Sequence, residues 1–304
     1  MLLEVKSLCT EFPVKRGVVR AVDDVSFGVS EGEILAIVGE SGSGKSVTSL
    51  SIMGLLAEPG HVAGGEMTFD GKDLVHLSEK EYREMRGNDM AMIFQEPMTS
   101  LNPVYRIGDQ IVEAIRTHEK VSKKEALTRA IDLLRKVGIP SPEARVRDYP
   151  HQMSGGMRQR VMIAMALACN PKLLIADEPT NGLDQTAKQR FLELMDNLFP
   201  TAAKLVITHD ISVAALCDRI LVLCGGKSME TGPSSDVLKF PDSPYTKALL
   251  GALVENGMVE TPVLRKSEGD CPFYGRCPQA RRCCRSERIP QNIRGRKEWR
   301  CACS

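Results

Sequence analysis

Residues 34–46 read ILAIVGESGSGKS, five apolar residues followed by a glycine-rich octapeptide. The apolar run stops at a glycine, as expected of a buried strand in a parallel sheet. Glycines let backbone N–H groups turn onto phosphate oxygens, and a helix that follows directs its positive end at them. The octapeptide fits G-x-x-x-x-G-K-[ST] and consists of Gly39, Glu40, Ser41, Gly42, Ser43, Gly44, Lys45 and Ser46. We predict a phosphate-binding loop here, with a helix from residue 44 to about residue 56.

A second apolar run, residues 173–176, ends in two acidic residues, Asp177 and Glu178. Beside a phosphate-binding loop such a pair predicts nucleotide hydrolysis. Lys45 would then reach the β- and γ-phosphates of ATP, and the Ser46 hydroxyl would ligate Mg²⁺. Asp177 would hold the Mg²⁺ through water, and Glu178 would polarise the attacking water as general base.

The remaining patterns predict an α/β fold with a parallel sheet. Residues 1–38 are rich in strand-forming residues, whereas residues 78–138 are mostly helical in pattern. Within the latter, Ser122 and Glu125 form a capping box that opens an amphipathic helix, and Gly138 ends it. A third apolar run, residues 205–207, precedes His209. In parallel α/β sheets ligands bind beyond the carboxyl ends of the strands, where all these polar residues fall.

Composition limits the function classes. The 304 residues carry a net charge of +1, which argues against a dedicated nucleic-acid binder. No apolar run reaches the roughly 18 residues that a membrane-spanning helix needs. The first residues, MLLEVK, lack the basic-then-apolar layout of a signal peptide. We therefore expect a protein that stays in the cytosol, even where it works at a membrane.

Four further segments carry a resemblance to ABC ATPases. They follow the order of that family's motifs and are Gln95 after a strand, the run Ser154-Gly155-Gly156, the loop that ends in Leu183-Asp184, and His209. The resemblance covers residues 1 to about 232. It implies a P-loop ABC ATPase domain with a parallel-sheet core, an antiparallel β subdomain and a helical subdomain.

The resemblance also implies roles for these residues. Ser154, Gly155 and Gly156 would close on the ATP of a facing subunit, so that each subunit supplies half of two sites. Gln95 would sense the γ-phosphate and Mg²⁺, and His209 would contact the γ-phosphate and support hydrolysis. Asp184 lies in the loop that crosses the interface between the subunits in this family. Phe12 is a candidate for stacking on adenine, with a place in the core as the alternative.

Two segments are similar to the oligopeptide, dipeptide and nickel importer subfamily: residues 94–103, FQEPMTSLNP, and residues 156–160, GMRQR. That resemblance implies a peripheral subunit at the cytoplasmic face of the membrane. Its partners would be two integral-membrane permease subunits, a second ABC ATPase that is a paralogue rather than an identical chain, and, indirectly, an extracytoplasmic substrate-binding protein. Peptides are the first expected cargo, and nickel or a metal chelate the second. The alternative is a soluble ABC ATPase that acts on nucleic acid or ribosomes, but the sequence has one cassette and no heptad array.

The chain changes character after residue 232, so we predict an ATPase domain over 1–232 and an extension over 233–304. Six of the ten cysteines lie in residues 271–304, which are poor in aliphatic residues and need a metal or docking for order. Cys271, Cys277, Cys284 and Cys301 resemble the cysteines that bind an iron–sulfur cluster in the same subfamily. Four thiolates suit either a [4Fe–4S] cluster or zinc, and unligated thiols are the remaining alternative. Cys283 and Cys303 fall off the spacing and are expected to be spare.

Overall fold

The computed structural model describes residues 1–15, 17–95, 100–264, 269–286 and 289–303. Residues 96–99, in the middle of the FQEPMTSLNP segment, therefore lie outside the described residues. The described chain forms two compact units. The first unit comprises residues 1–30, 34–76 and 206–304, and the second comprises residues 31–33 and 77–205.

The strands of the described residues are short, apart from the first two. In chain order they are β1 Leu3–Val14, β2 Gly17–Val29, β3 Ile34–Val38, β4 His61–Phe69, β5 Lys72–Asp73, β6 Met90–Ile93, β7 Leu173–Asp177, β8 Ala203–Thr208, β9 Arg219–Cys224, β10 Lys227–Pro233, β11 Gln291–Arg294 and β12 Lys297–Arg300.

The α-helices lie mainly between residues 79 and 251. In chain order they are α1 Lys45–Ile52, α2 Glu79–Met85, α3 Ile107–His118, α4 Lys123–Lys136, α5 Pro142–Arg145, α6 Gly155–Ala166, α7 Gln185–Leu198, α8 Ile211–Ala214, α9 Ser234–Lys239, α10 Pro244–Gly251 and α11 Cys283–Ser286.

The first unit contains an antiparallel sheet in the order β2-β1-β4-β5. Its pairing starts with Leu3 opposite Val29 on one side and Leu3 opposite Phe69 on the other. All three of these side chains are buried, as expected where one face of an antiparallel sheet covers a core. This sheet has the form of the antiparallel β subdomain that the sequence predicts.

A second set of strands in the first unit runs in the order β11-β12-β10-β9-β3-β8. β3 pairs with β9 in parallel, and Leu35, Ile37 and Leu221 within this pair have no exposed surface. Strand β3 is therefore buried on both faces, as its continuous apolar sequence predicts. The helix after it, α1, ends at Ile52 rather than near residue 56, because Gly54 takes a positive φ of 60° and stops it.

In the second unit β7 and β6 are neighbouring strands and pair in parallel. The predicted helix after Ser122 is α4: the Ser122 hydroxyl accepts a hydrogen bond from the Glu125 N–H at 3.2 Å. Its apolar face, with Ala126 and Ala130, is buried. Gly138 then takes a positive φ of 74°, which explains why the helix ends at that point.

The C-terminal extension packs within the first unit. After α9 and α10 the chain reaches the hairpin β11–β12, and β12 pairs antiparallel with β10 through Trp299 opposite Glu230. The Trp299 side chain is buried in this pairing. Docking, the second source of order that the sequence allows for, is therefore present in the structure. Across the described residues no helix is long and apolar enough to span a bilayer.

Candidate functional site

The glycines of the predicted phosphate loop are required by close backbone contacts. A Cβ atom at Gly39 would lie 2.2 Å from the Leu223 carbonyl oxygen and 2.6 Å from the Ser43 Oγ. Gly44 has a φ of 99°, and a Cβ there would lie 2.5 Å from the Ala21 carbonyl oxygen. Both positions therefore admit only glycine, whereas Gly42, with a φ of 76°, faces open space.

The loop carries three polar side chains that could contact a ligand. The Lys45 Nζ is buried and donates to the carbonyl oxygens of Gly39 at 2.8 Å and Glu40 at 3.0 Å. The buried Ser43 hydroxyl oxygen has no hydrogen-bond partner among the described residues. A buried hydroxyl of this kind is costly unless something binds it. Ser46, by contrast, is exposed at the start of α1. The lysine and the hydroxyl groups of the loop thus fit an anionic ligand.

His209 follows β8, which is next to β3 in the strand order of the first unit. Its side chain is exposed. The next residue, Asp210, caps α8 by accepting a hydrogen bond from the Ser212 N–H at 2.8 Å. The sequence thus brings an imidazole to the end of the strand that neighbours the loop's own strand.

The second unit brings Gln95, Asp177 and Glu178 to one end of two neighbouring strands. The parallel pair β6–β7 ends in register, with Ile93 opposite Ala176. Asp177 comes directly after Ala176, and Gln95 comes two residues after Ile93. Asp177 is buried, whereas Gln95 is exposed. Carboxylate and amide oxygens are ligands that Mg²⁺ accepts, so the donor set fits such an ion.

Glu178 has an unusual backbone conformation that the sequence did not predict. Its φ is 47°, in the left-handed region that non-glycine residues seldom occupy. The turn is closed by the Asn181 N–H, which donates to the Glu178 carbonyl oxygen at 3.2 Å. Local strain of this kind is found where function fixes the direction of a side chain. Glu178 is half-buried, in contrast to the fully buried strand before it.

The predicted signature residues begin helix α6. The Ser154 hydroxyl accepts a hydrogen bond from the Met157 N–H at 3.3 Å and caps the helix. Gly155 and Gly156 are exposed, and a Cβ at either would meet nothing within 4 Å. One turn further on, the Gln159 amide donates to the Pro179 carbonyl oxygen, which joins α6 to the turn that follows Glu178. Among the residues that the structure describes, no contact therefore requires glycine at these two positions.

Asp184, the predicted interface residue, has a local role. Its carboxylate accepts a hydrogen bond from the Ala187 N–H at 2.8 Å and caps α7. Phe12, the candidate for adenine stacking, lies in β1 with its ring against Gly60, where a Cβ would come within 2.3 Å of the ring. It is half-buried there. These contacts leave the predicted roles of both residues untested.

Five of the six cysteines of the extension line one small cavity of about 20 Å³ in the first unit. It is lined by the four predicted ligands Cys271, Cys277, Cys284 and Cys301, and also by Cys303. Cys303 was expected to be spare, but its Sγ lies 3.5 Å from the Sγ of Cys284. Burial, together with the neighbouring thiols, raises the pKa of Cys271 to about 11 and that of Cys303 to about 12.

The thiols meet, but they are not arranged as a metal site. Over the part of the chain that the structure describes, no three His, Cys, Asp or Glu side chains form a group that could hold a metal ion. The donor set nevertheless fits a thiophilic metal or an iron–sulfur cluster by its chemistry. The volume is that of about one water molecule, so a larger group would need these side chains to move apart.

Two family models match the sequence. The ABC transporter model matches residues 22–181. The model for the C-terminal region of oligopeptide/dipeptide transporters matches residues 229–284. The second match begins in β10 and covers three of the cavity-lining cysteines.

Curated proteins resemble the chain over most of its length. The dipeptide transport ATP-binding protein DppD of Haemophilus influenzae is 46% identical, covering 99% of this chain and 94% of that protein. DppD of Escherichia coli K12 is 47% identical, with coverage of 96% and 93%. The oligopeptide transport ATP-binding protein OppD of Bacillus subtilis is 53% identical, covering 83% of this chain and 72% of that protein.

Solved structures show the same fold. A dimeric, post-hydrolysis structure of the ATP-binding cassette MJ0796 with ADP and Pi has a TM-score of 0.69 and 28% identity, covering 76% of this chain and 98% of that one. The cbiO1 protein of Clostridium perfringens, part of the transporter complex cbiONQ, has a TM-score of 0.66 and 27% identity, with coverage of 79% and 91%. The predicted fold class is thereby confirmed.

Proposed function

Since the chain belongs to the ABC transporter family and is an ATP-hydrolysing subunit of an importer, we propose that it powers the uptake of peptides through separate permease subunits. Two relatives named for dipeptide and oligopeptide transport, and the match to the C-terminal region of such transporters, support this cargo over nickel or a metal chelate. The alternative of a soluble ATPase for nucleic acid or ribosomes is not favoured by any of these relatives.

The phosphate-binding loop carries the proposal. It combines glycines that no other residue can replace with an orphaned buried hydroxyl at Ser43. We propose that Lys45 and the loop N–H groups bind the ATP phosphates, and that Ser46, Gln95 and Asp177 hold Mg²⁺. When bound, Mg²⁺ would neutralise charge on the phosphates. The remaining loop positions, Gly39 to Gly44, would shape the backbone around the anion.

The proposed hydrolysis residues are Glu178 and His209. We propose that Glu178 accepts a proton from the attacking water, and that its strained φ directs the carboxylate for this role. His209, exposed after β8, would contact the γ-phosphate. Hydrogen-bond donors at a developing charge lower the barrier most where their positions are fixed beforehand.

A facing ABC ATPase subunit would complete each site. Ser154, Gly155 and Gly156 would bind the γ-phosphate held by that subunit, and Asp184 would lie at the contact. The open space at both glycines supports this, because a phosphate needs close backbone approach. We propose a paralogue as partner, two integral-membrane permease subunits, a substrate-binding protein outside the cell, and a place at the cytoplasmic face of the membrane.

We keep the division of the chain at residue 232 as a proposal, with the extension as a second module. We also propose that Cys271, Cys277, Cys284 and Cys301 hold a [4Fe–4S] cluster, with zinc as the alternative. Their convergence on one cavity supports this. When bound, such a group would cross-link four points of the extension.

The phosphate loop is tested by Lys45→Ala. Losing a charge-assisted phosphate contact should weaken MgATP binding by roughly tenfold or more in the purified chain, measured by isothermal titration calorimetry. Lys72→Ala, at an exposed lysine of the same unit, is the control. If Lys45→Ala and the control bind MgATP equally well, the loop assignment is wrong.

The cluster is tested by metal analysis of anaerobically purified protein. We expect about four iron and four sulfide per chain, and their loss in Cys277→Ser. Cys283→Ser is the matched control, because Cys283 does not line the cavity. If the protein contains stoichiometric zinc and no iron, the site is a zinc site rather than a cluster. If it contains neither metal, the thiols are unligated and the proposal is wrong.

A further inference from the structure

An ion pair joins the C-terminal extension to the phosphate-binding loop. The Nη1 and Nη2 of Arg276 each donate to one carboxylate oxygen of Glu40, both at 2.7 Å. Glu40 is the second residue of the loop, and the two partners are 236 positions apart in the chain. The geometry is bidentate, which is the strongest form of an arginine–carboxylate contact. Both residues lie in the first unit.

Buried aromatic side chains hold the arginine in place. Its guanidinium lies 5.3 Å from the ring centre of Phe273 and 6.0 Å from that of Tyr245. The two rings meet edge to face with centroids 5.4 Å apart, and both are almost fully buried. Arg276 therefore projects from a rigid base, so its contact with Glu40 needs little further ordering.

The backbone of the loop is held by further hydrogen bonds. The Glu40 N–H donates to the Tyr245 hydroxyl oxygen at 3.3 Å. On the far side of the loop, the Gly226 N–H donates to the Ser43 carbonyl oxygen at 3.0 Å. The neighbouring Gly225 is covered by Pro272, to which a Cβ at Gly225 would approach within 2.7 Å. The extension thus contacts the loop directly at Glu40, and it reaches Ser43 only indirectly, through the contact of Pro272 with the Gly225–Gly226 turn.

We propose that Arg276 is a positioning residue for the phosphate-binding loop, and that the extension, through Arg276, fixes the loop in the form that receives ATP. The inference rests on the proposed assignment of the loop. A glycine-rich loop loses much conformational freedom when it closes on phosphate, and a tether at Glu40 removes part of that loss before ATP arrives. Arg276 also neutralises a carboxylate that would otherwise repel the triphosphate.

The cavity of cysteines shares this base, because Phe273 and Tyr245 line it together with Cys271 and Cys277. Arg276 directly precedes Cys277. A change in the cavity that moves this segment would therefore move the guanidinium that holds Glu40. The cavity and the Arg276–Glu40 pair thus share the side chains of Phe273 and Tyr245.

The test is a double-mutant cycle on MgATP affinity, measured by calorimetry on the full-length chain. We expect Arg276→Gln to weaken binding about three- to tenfold, and Arg276→Lys to recover only part of this, since an ammonium cannot form the bidentate pair. In the Glu40→Gln background, Arg276→Gln should have little further effect, because the pair is already broken. Arg296→Gln, at an exposed arginine of the same extension, is the control and should bind as the wild type.

Two results would contradict the positioning role of Arg276. If Arg276→Gln binds MgATP as tightly as the wild type, or if its effect is unchanged in the Glu40→Gln background, Arg276 does not act through Glu40. A thermal unfolding midpoint equal to the control's separates positioning from loss of fold. Lys45→Ala separates the two proposals: weak binding in Lys45→Ala with normal binding in Arg276→Gln overturns only the positioning role. Normal binding in Lys45→Ala overturns the loop assignment itself.

Discussion

At the scale of single residues, Glu178 is distinguished by its backbone conformation as well as by its carboxylate. Two acids after an apolar run are common, but only Glu178 combines that place with a φ of 47°. Such a conformation costs about 1–3 kcal/mol and persists where surrounding contacts enforce it. The turn from Glu178 to Asn181 and the contact of Gln159 with Pro179 supply that enforcement. This conformation supports the proposal that Glu178, rather than Asp177, is the base.

Glu178→Gln should separate binding from hydrolysis. The amide keeps the size of the side chain but cannot accept the proton, so the hydrolysis rate in the assembled transporter should fall about a hundredfold or more. MgATP affinity should stay within about twofold, because the loop is untouched. Phosphate release and calorimetry measure the two quantities. Asp177→Asn is the informative comparison, since it should also weaken the Mg²⁺ dependence of binding. Near wild-type hydrolysis in Glu178→Gln would assign the base elsewhere.

At the scale of elements, local patterns could be predicted and distant contacts could not. Strand β3 and its loop are encoded by adjacent residues, and the Ser122 cap of α4 by residues three apart. The pairing of β12 with β10 and the contact of Arg276 with Glu40 join remote segments whose sequences carry no shared signal. The predicted end of α1, at about residue 56, is too late, because Gly54 takes a positive φ and the helix already ends at Ile52.

A second prediction concerns Gly156, in the first turn of helix α6, where no contact among the described residues requires glycine. A Cβ at Gly156 meets open space, and alanine favours a helix over glycine by about 0.5–1 kcal/mol. Gly156→Ala should therefore leave the thermal stability of the chain unchanged or slightly higher. In the assembled transporter it should lower hydrolysis, because the added methyl group would meet the phosphate of the facing subunit.

Gly64→Ala is the matched control for this helix, since Gly64 also faces open space but lies in β4, away from any predicted contact. Stability curves and steady-state hydrolysis should be measured on both variants. Equal hydrolysis in Gly156→Ala and Gly64→Ala would mean that no facing nucleotide approaches α6.

At the scale of the whole molecule, family membership indicates that the chain hydrolyses ATP for transport, as one subunit of a larger transporter. The relatives DppD and OppD are named as transport ATP-binding proteins. The cargo contacts are expected in other subunits, so the sequence of this chain narrows the cargo only through its resemblance to peptide transporters. The extension is the part of this chain that distinguishes it from a minimal cassette, and it contacts the phosphate-binding loop directly.

The most direct test of the central claim, that ATP hydrolysis by this chain drives peptide uptake, is accumulation of a radiolabelled dipeptide in proteoliposomes. These would contain the permease subunits, the partner ATPase and this chain, with the binding protein and peptide on one side and MgATP on the other. We predict uptake against a concentration gradient with the wild-type chain and MgATP, and only background uptake with Glu178→Gln or without nucleotide. Uptake by the Glu178→Gln complex at the wild-type rate, or hydrolysis without any peptide accumulation, would contradict this account.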